Sequence, residues 1–192
     1  MPEPVKTAKI SRYLPTPGKN RVTILDTSAF IAGFDPHSVG GRQYSVPTVE
    51  GELVANSLPW LRFKAAVDSG RLRLRVPGAE FLERVKKSSR EVGDMLFLSE
   101  VDLQVLALAL ERKEAGCDPL IATDDYSIQN VADQMGVDFA PLTTFGIRFR
   151  LNWIRYCPAC HRKYPPNHKF KFCEVCGAEL KRKPLRKTPV GK

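Results

Sequence analysis

The 192-residue sequence lacks a long apolar run. Its longest apolar stretch, Leu103–Leu110, has 8 residues and already includes Gln104. A helix needs about 20 apolar residues to cross a bilayer, so we expect neither a membrane span nor a membrane partner. Residues 1–20 carry lysines and prolines but no apolar segment typical of a secretory leader. These residues are expected to form a flexible extension of a cytoplasmic protein.

Acidic residues are scarce near the end of the chain. Residues 147–192 contain only two of them, beside 13 lysines and arginines. The formal net charge of the whole chain is +9, so the first 146 residues are mildly acidic by comparison. Positive charge gathered in one segment favours a polyanionic partner such as RNA, with a solvated solubility tail as the alternative. Residues 181–192 are predicted to be a disordered basic tail.

Short β-branched runs alternate with helical patterns between residues 21 and 146. Val22–Leu25 and Pro119–Thr123 are typical of buried strands, and Ala79–Val92 and Ser99–Ala115 of helices. This alternation predicts an α/β fold, namely a three-layer α/β/α domain with a mostly parallel sheet. Between the first two strands, the pattern favours a loop over 34–43, a strand over 45–47 and a helix over 48–56 capped by Thr48.

Acidic residues occur wherever the predicted elements begin or end at one edge of the sheet. They are Asp26 after the first strand, Asp124 and Asp125 after a later strand, and Glu52 and Asp102 in the first turns of helices. Because the carboxyl ends of parallel strands share one edge, these side chains can converge in one cleft. Carboxylates packed together stay ionised when divalent cations bind them, and oxygen ligands favour Mg²⁺ or Mn²⁺. Such a cleft suits hydrolysis of a phosphodiester.

Each of these acids also fits a purely structural role. Asp26 and Asp124 can cap the helices that follow them. Asp102 lies three residues after Ser99, in a capping-box pattern, and Glu52 suits the positive end of a helix dipole. The pattern alone leaves the metal cleft and the set of helix caps open as alternatives.

Four segments in series resemble a PIN domain. They are Leu25-Asp26-Thr27-Ser28-Ala29, Val49-x-x-Glu52-Leu53, Leu98-Ser99-x-x-Asp102 and Ala122-Thr123-Asp124-Asp125-Tyr126. PIN domains are metal-dependent ribonucleases with a three-layer α/β/α fold, and the resemblance covers about residues 21–146. It implies a metal site formed by Asp26, Glu52, Asp102 and Asp125, with Asp124 an alternative to Asp125 and Glu50 to Glu52. It also implies that Ser28 and Thr123 support these acids through hydrogen bonds.

Four of the five cysteines form two CxxC pairs, Cys157/Cys160 and Cys173/Cys176, separated by 12 residues. Two such pairs indicate a closed, structural Zn²⁺ site with four thiolate ligands. A redox dithiol is the alternative. The pattern predicts a zinc ribbon over 147–180, because a segment this short cannot bury enough core to fold without the metal.

Aromatic and basic residues alternate around the cysteine pairs. Basic side chains can contact phosphates and aromatic rings can stack on unpaired bases. The positions predicted to bind RNA are Arg148, Arg150, Arg155, Arg162, Lys163, Lys169 and Lys171. For Phe149, Trp153 and Phe172 we expect packing around the zinc site instead.

The order of a PIN domain and a four-cysteine ribbon resembles one family more narrowly, the Nob family of endonucleases that mature the 3′ end of small-subunit rRNA. The resemblance extends over about residues 21–180 and includes the segment Thr123–Ala132. It implies cleavage of single-stranded precursor rRNA, with the pre-ribosomal small subunit and its assembly factors as partners. Three alternatives are a non-catalytic rRNA-binding assembly factor, a PIN-type toxin nuclease and a structure-specific DNA nuclease.

Overall fold

The computed structural model describes residues 20–190, which form two sheets and six α-helices within that range. The first sheet consists of β1 (Arg21–Leu25), β2 (Arg42–Ser45), β3 (Leu72–Leu74), β4 (Asp118–Ala122) and β5 (Asp138–Ala140). The helices are α1 (Thr27–Ile31), α2 (Val49–Glu52), α3 (Leu58–Asp68), α4 (Ala79–Val92), α5 (Glu100–Glu114) and α6 (Tyr126–Gln134). No helix within residues 20–190 is long and apolar enough to cross a membrane.

The first sheet is parallel throughout, in the order β3-β2-β1-β4-β5. The chain builds outward from β1 to β2 and β3, and then returns to add β4 and β5 on the other side of β1. Strand order therefore reverses between β1 and β4. In parallel sheets the crevice beyond the carboxyl ends of such strands is where ligands bind. The predicted three-layer α/β fold with a mostly parallel sheet is confirmed.

The core explains why these segments form these elements. β1 has a run of four buried residues, and β4 ends in another run of four, as expected for strands covered on both faces. Helix α5 is buried along eight of its positions and includes Leu106 and Leu108 among the fully buried side chains. Its central place in the core fixes the start of α5, and with it Asp102, against the sheet edge.

Two local predictions between β1 and α3 were wrong. The helix predicted over 48–56 is only α2, because Leu53 is already extended and Asn56 adopts a left-handed conformation with φ of 60°. Thr48 makes no capping hydrogen bond. The strand predicted over 45–47 is shifted to β2, which pairs with both β1 and β3 and ends before Pro47. Proline cannot donate to the ladder of an internal strand.

The second sheet is antiparallel, in the order β7-β6-β8, and consists of β6 (Phe149–Tyr156), β7 (Lys163–Tyr164) and β8 (Lys181–Pro189). β8 corrects the prediction of a disordered tail over 181–192, since it pairs with β6 along almost its whole length. Repulsion between basic residues would oppose this, but Arg182 is paired with Asp94 and Lys183 lies 4.4 Å from the Tyr156 ring centre. The extension predicted over 1–20 lies outside the described residues except for Asn20, and 191–192 also lie outside them.

Candidate active site and metal centre

Asp26 directly follows β1 and is 3% exposed. Its carboxylate caps α1 by accepting hydrogen bonds from the backbone N–H of Thr27 at 2.7 Å and of Ser28. It also accepts from the hydroxyls of Ser28 at 2.7 Å and Thr123 at 2.8 Å, so the support implied for these two residues is confirmed. Burial raises the pKa of Asp26, and these hydrogen bonds offset only part of that effect.

Glu52 and Asp102 are joined to the Asp26 region through hydroxyl groups. The Thr27 hydroxyl donates to Glu52 Oε2, and the Ser99 hydroxyl lies 3.4 Å from Glu52 Oε1. Ser99 and Asp102 form the predicted capping box at the start of α5: Ser99 N–H donates to Asp102 Oδ2 at 2.6 Å and Asp102 N–H to Ser99 Oγ at 3.1 Å. Two acids from separate helices thus meet at Ser99.

The negative charges of the neighbouring acids contribute to a raised pKa of Asp102. Burial raises its pKa to about 6, the Ser99 backbone hydrogen bond opposes this, and the negative charges of Asp26 and Asp125 add to the increase. Carboxylates that repel one another in this way provide hard oxygen ligands, and a divalent cation would relieve the repulsion. The residues therefore fit Mg²⁺ or Mn²⁺. Their oxygens do not all lie within 4.8 Å of one another, and among residues 20–190 only the cysteines meet that distance as a group.

Asp124 and Asp125 are adjacent but engage different parts of the molecule. Asp125 caps α6 by accepting from Ser127 N–H at 2.6 Å and Ile128 N–H at 3.2 Å, and its charge acts on Asp102. Asp124 instead binds the loop after β5, where its carboxylate accepts from the backbone and hydroxyl groups of residues 142–144. Burial raises the pKa of Asp124, but these hydrogen bonds outweigh burial and bring it below its usual value. This arrangement favours Asp125 over Asp124 at the acidic cluster.

The alternative acid Glu50 also points elsewhere. Its carboxylate lies 3.2 Å from the Lys64 ammonium group on α3. Glu52 therefore belongs to the acidic cluster that also contains Asp26, Asp102 and Asp125, and this name is used for those four residues below.

Sequence reasoning missed Asp94, which is 2% exposed and lies between α4 and α5. Its carboxylate accepts a hydrogen bond from the Asn130 side chain and pairs with Arg182 on β8. The Asn130 side chain in turn binds both backbone groups of Leu151 on β6, at 2.7 and 2.9 Å. No sequence pattern marks this contact, because its partners come from four separate segments.

The four cysteines converge as predicted. Their Sγ atoms all lie within 4.8 Å of one another, with Cys157 and Cys176 at 3.3 Å and Cys160 and Cys173 at 3.6 Å. Each CxxC turn ends in a left-handed residue, His161 with φ of 61° and Gly177 with φ of 72°. Four converging thiolates of this kind form a site that can hold a metal ion, and they fit zinc.

The side chains packed at the cysteine cluster differ from those expected. Tyr164 and Leu180 are buried against Cys157 and Cys173, and the Tyr164 hydroxyl lies 3.0 Å from Cys173 Sγ. That hydrogen bond lowers the pKa of Cys173 to about 6. The three aromatic residues predicted to pack around the zinc site do not belong to this cluster: Phe149 and Phe172 are about half exposed, and Trp153 stacks on Arg182.

The basic residues predicted to bind RNA divide into two groups. Arg150 pairs with Asp133 at 3.1 Å, and Arg155 donates to the carbonyl oxygens of His168 and Phe170. These two guanidinium groups are used within the fold. The others are exposed, with Lys171 also paired to Glu179: they are Arg148, Arg162, Lys163, Lys169 and Lys171.

Residues 23–111 match the family model described as the PIN domain of ribonuclease. The chain is 36% identical to the endoribonuclease Nob1 of Methanothermobacter thermautotrophicus over 83% of this chain and 91% of that protein. It is 32% identical to the endoribonuclease Nob1 of Methanocaldococcus jannaschii over 88% and 81%, respectively. It is also 34% identical to the ribonuclease VapC1 of Thermoplasma acidophilum over 84% and 77%. Together with its fold, acidic edge and four-cysteine cluster, this similarity shows that the chain belongs to the Nob1 family of PIN-domain endoribonucleases.

Proposed function

We propose that this chain is a divalent-metal-dependent endoribonuclease that cleaves single-stranded precursor rRNA at the 3′ end of the small-subunit rRNA. The observation that carries the proposal is the acidic cluster at the switch point of the parallel sheet, where Asp102 has a pKa of about 6 beside Asp26 and Asp125. From the family we also infer that the protein acts in the cytoplasm, on the pre-ribosomal small subunit and together with its assembly factors.

The four acids of the cluster would hold Mn²⁺ or Mg²⁺ through their carboxylate oxygens. Such an ion supplies positive charge that activates water and stabilises the leaving oxygen of a phosphodiester. The chain's own contribution is to fix the oxygens in place. Ser28 and Thr123 hold the Asp26 carboxylate, and Thr27 and Ser99 orient Glu52.

The four cysteines would hold one structural Zn²⁺, and the exposed basic residues around them would bind RNA. In this proposal the acidic cluster carries out the cleavage, and the basic segment provides most of the affinity for RNA. Binding that depends on phosphate contacts should weaken as salt rises, with a slope of log affinity against log salt of about −0.7 for each phosphate contacted on a single strand.

The experiment that tests the proposal compares Asp26→Asn with the native protein in Mn²⁺, using RNA that spans the mature 3′ end. Asn caps helices about as well as Asp, so the variant keeps its fold but loses one negative charge. We expect normal RNA binding and a loss of cleavage by a factor of about 10² or more. Asp35→Asn is the matched control, because Asp35 also caps a helical turn and lies outside the acidic cluster.

The second candidate is a non-catalytic rRNA-binding assembly factor. It is favoured by the fact that Asp26, Asp102 and Asp125 all accept backbone hydrogen bonds at helix starts, as purely structural caps would. Native-like cleavage by the Asp26→Asn protein, or cleavage by neither protein, would contradict the nuclease mechanism and favour this candidate.

A further inference from the structure

A groove runs along the outer surface between the start of α6 and the sheet formed by β6 and β8. We call it the aromatic groove. Its lining includes Tyr126, Ile147, Arg148, Phe149, Trp153 and Lys187. The groove is open to solvent and has a volume of about 550 Å³, within the range of sites that hold ligands.

The aromatic rings of the groove are left exposed by the fold. Tyr126 is 55% exposed and Phe149 is 47% exposed. Neither ring belongs to the core of the nuclease domain or to the buried cluster around the cysteines. Proteins bind unpaired bases by stacking them on exposed aromatic rings that lie beside basic side chains. Because these two rings do not contribute to the core, we infer that they serve to stack on bases.

Charge complementarity identifies the occupant. Arg148 and Lys187 are exposed at the groove, and neither is paired with an acidic side chain among the residues that the structure describes. The lining of the groove contains no acidic residue within the described chain. In the adjoining pocket, which shares Tyr126 and Phe149 with the groove, the buried Asp94 is paired with Arg182. An apolar floor under uncompensated positive charge suits a strand that carries both bases and phosphates.

The groove lies next to the acidic cluster at the start of α6. Tyr126 is the first residue of α6 and directly follows Asp125, whose carboxylate caps that helix. A strand with a phosphodiester at the acidic cluster would therefore meet the Tyr126 ring at its next bases. The second ring, Phe149, begins β6 and lines the same groove.

We propose that the aromatic groove is a binding subsite for the unpaired nucleotides next to the scissile phosphodiester, with Tyr126 and Phe149 stacking on bases and Arg148 and Lys187 contacting phosphates. This inference rests on the proposed function, because it takes RNA as the substrate. It places this subsite between the start of α6 and the second sheet, apart from the basic residues near the cysteines.

The test measures binding without cleavage. Single-stranded RNA carrying 4-thiouridine on either side of the cut position is bound to the full-length, zinc-loaded protein without added Mn²⁺ or Mg²⁺, cross-linked by light, and mapped by mass spectrometry. We expect cross-links at Tyr126 or Phe149. We also expect Phe149→Leu and Tyr126→Leu each to weaken RNA affinity about tenfold, because each ring stacks on one base.

Two controls separate stacking from general loss of surface. Phe149→Trp keeps a ring and should bind like the native protein. Leu185→Ala removes an exposed apolar side chain from β8 outside the groove and should change affinity less than twofold. Cross-links confined to residues 157–180, with unchanged affinity of both Leu variants, would overturn the subsite; a protein segment would then be the better occupant.

The outcome is distinguishable from failure of the proposed function. If the Leu variants bind RNA weakly but the native protein cleaves nothing in Mn²⁺, the groove stands as an RNA site and the nuclease proposal fails. If the native protein cleaves and the Leu variants bind RNA normally, the nuclease proposal stands and the proposed RNA subsite in the groove is wrong.

Discussion

The Asp94 carboxylate and the Arg182 guanidinium form an ion pair that joins the segment between α4 and α5 to β8, the last strand of the second sheet. The guanidinium lies between two aromatic rings, 4.0 Å from the centre of Phe97 and 3.8 Å from that of Trp153. Asp94 is almost fully buried, and burial raises its pKa, with Asn130 and Arg182 opposing that effect. This contact holds β8 against the segment between α4 and α5.

Removing the Arg182 side chain should destabilise the protein. Arg182→Ala leaves the Asp94 carboxylate buried without its cation, a change that costs about 3 to 5 kcal/mol in buried pairs. The free energy of unfolding from urea denaturation measures this loss. Arg186→Ala, an exposed residue of the same strand, is the control and should change stability by less than about 0.5 kcal/mol.

The double variant Asp94→Asn with Arg182→Met tests the origin of that loss. With both charges removed, no unpaired charge remains and the Met side chain can still pack between the two rings. We expect it to recover at least half of the stability lost in Arg182→Ala. A double variant that is less stable than Arg182→Ala would mean that the charges themselves, rather than relief of an unpaired carboxylate, hold the strand.

The raised pKa of Asp102 predicts how the stability of the protein responds to pH when no divalent metal is bound at the acidic cluster. Its folded pKa of about 6 lies above the ordinary value of 3.8, so the folded state binds more protons between these values. Stability of the zinc-loaded protein without added Mn²⁺ or Mg²⁺ should therefore fall as pH rises from about 4 to about 6, by roughly 1 to 2 kcal/mol after allowance for solvent screening. Thermal denaturation across this range measures the slope.

The slope should be smaller in Asp102→Asn and unchanged in Asp68→Asn, an exposed residue at the end of α3. Added Mn²⁺ should reverse its direction, since the cation binds the deprotonated acids. An identical slope in the native protein and in Asp102→Asn would contradict the assignment of this titration to Asp102.

The hydrogen bond from Tyr164 to Cys173 should strengthen metal binding at the cysteine cluster. Partners that hydrogen-bond to metal ligands contribute about 10- to 100-fold in affinity. We therefore expect Tyr164→Phe to lose zinc to a competing chelator at a 10- to 100-fold lower chelator concentration than the native protein. In the control Tyr156→Phe, the hydroxyl removed is not bonded to any described cysteine, and zinc retention should not change.

The neighbouring acids Asp124 and Asp125 should respond differently to the same substitution. Asp125→Asn keeps the cap of α6 but removes a charge from the acidic cluster, so cleavage should be lost while stability is nearly kept. Asp124→Asn should lower stability by about 1 to 3 kcal/mol, because the loop 142–144 loses its charged acceptor. Its cleavage should stay within about tenfold of native. Loss of cleavage in Asp124→Asn at unchanged stability would mean that Asp124, and not Asp125, belongs to the acidic cluster.

The parts predicted from sequence are those that depend on local pattern. Asp26 follows a buried β-branched run, and the capping box of Ser99 and Asp102 is encoded by two residues three apart, so both were found and both are present. The convergence of the four cysteines on one site could be predicted because the CxxC spacing of metal ligands is a local feature of the sequence. The edge shared by β1 and β4 then follows from the general geometry of parallel sheets.

The parts that failed depend on contacts between distant segments. A basic run such as Lys181–Lys183 indicates a solvated tail, and only the buried Asp94 and the rings around Arg182 make it a strand. The choice between Asp124 and Asp125 likewise required the position of the loop after β5. Charge and propensity carry no information about a partner that lies 88 residues away.

β8 is the edge strand of its sheet, with β6 on one side and no further strand on the other among residues 20–190. A free edge exposes unpaired backbone groups that can recruit another chain and start aggregation. Lysines and prolines are the residues that block such pairing, and β8 contains Lys181, Lys183 and Lys187 together with Pro184 and Pro189. The lysines that make this segment attractive to a polyanion therefore also help to keep two copies of the protein from joining edge to edge.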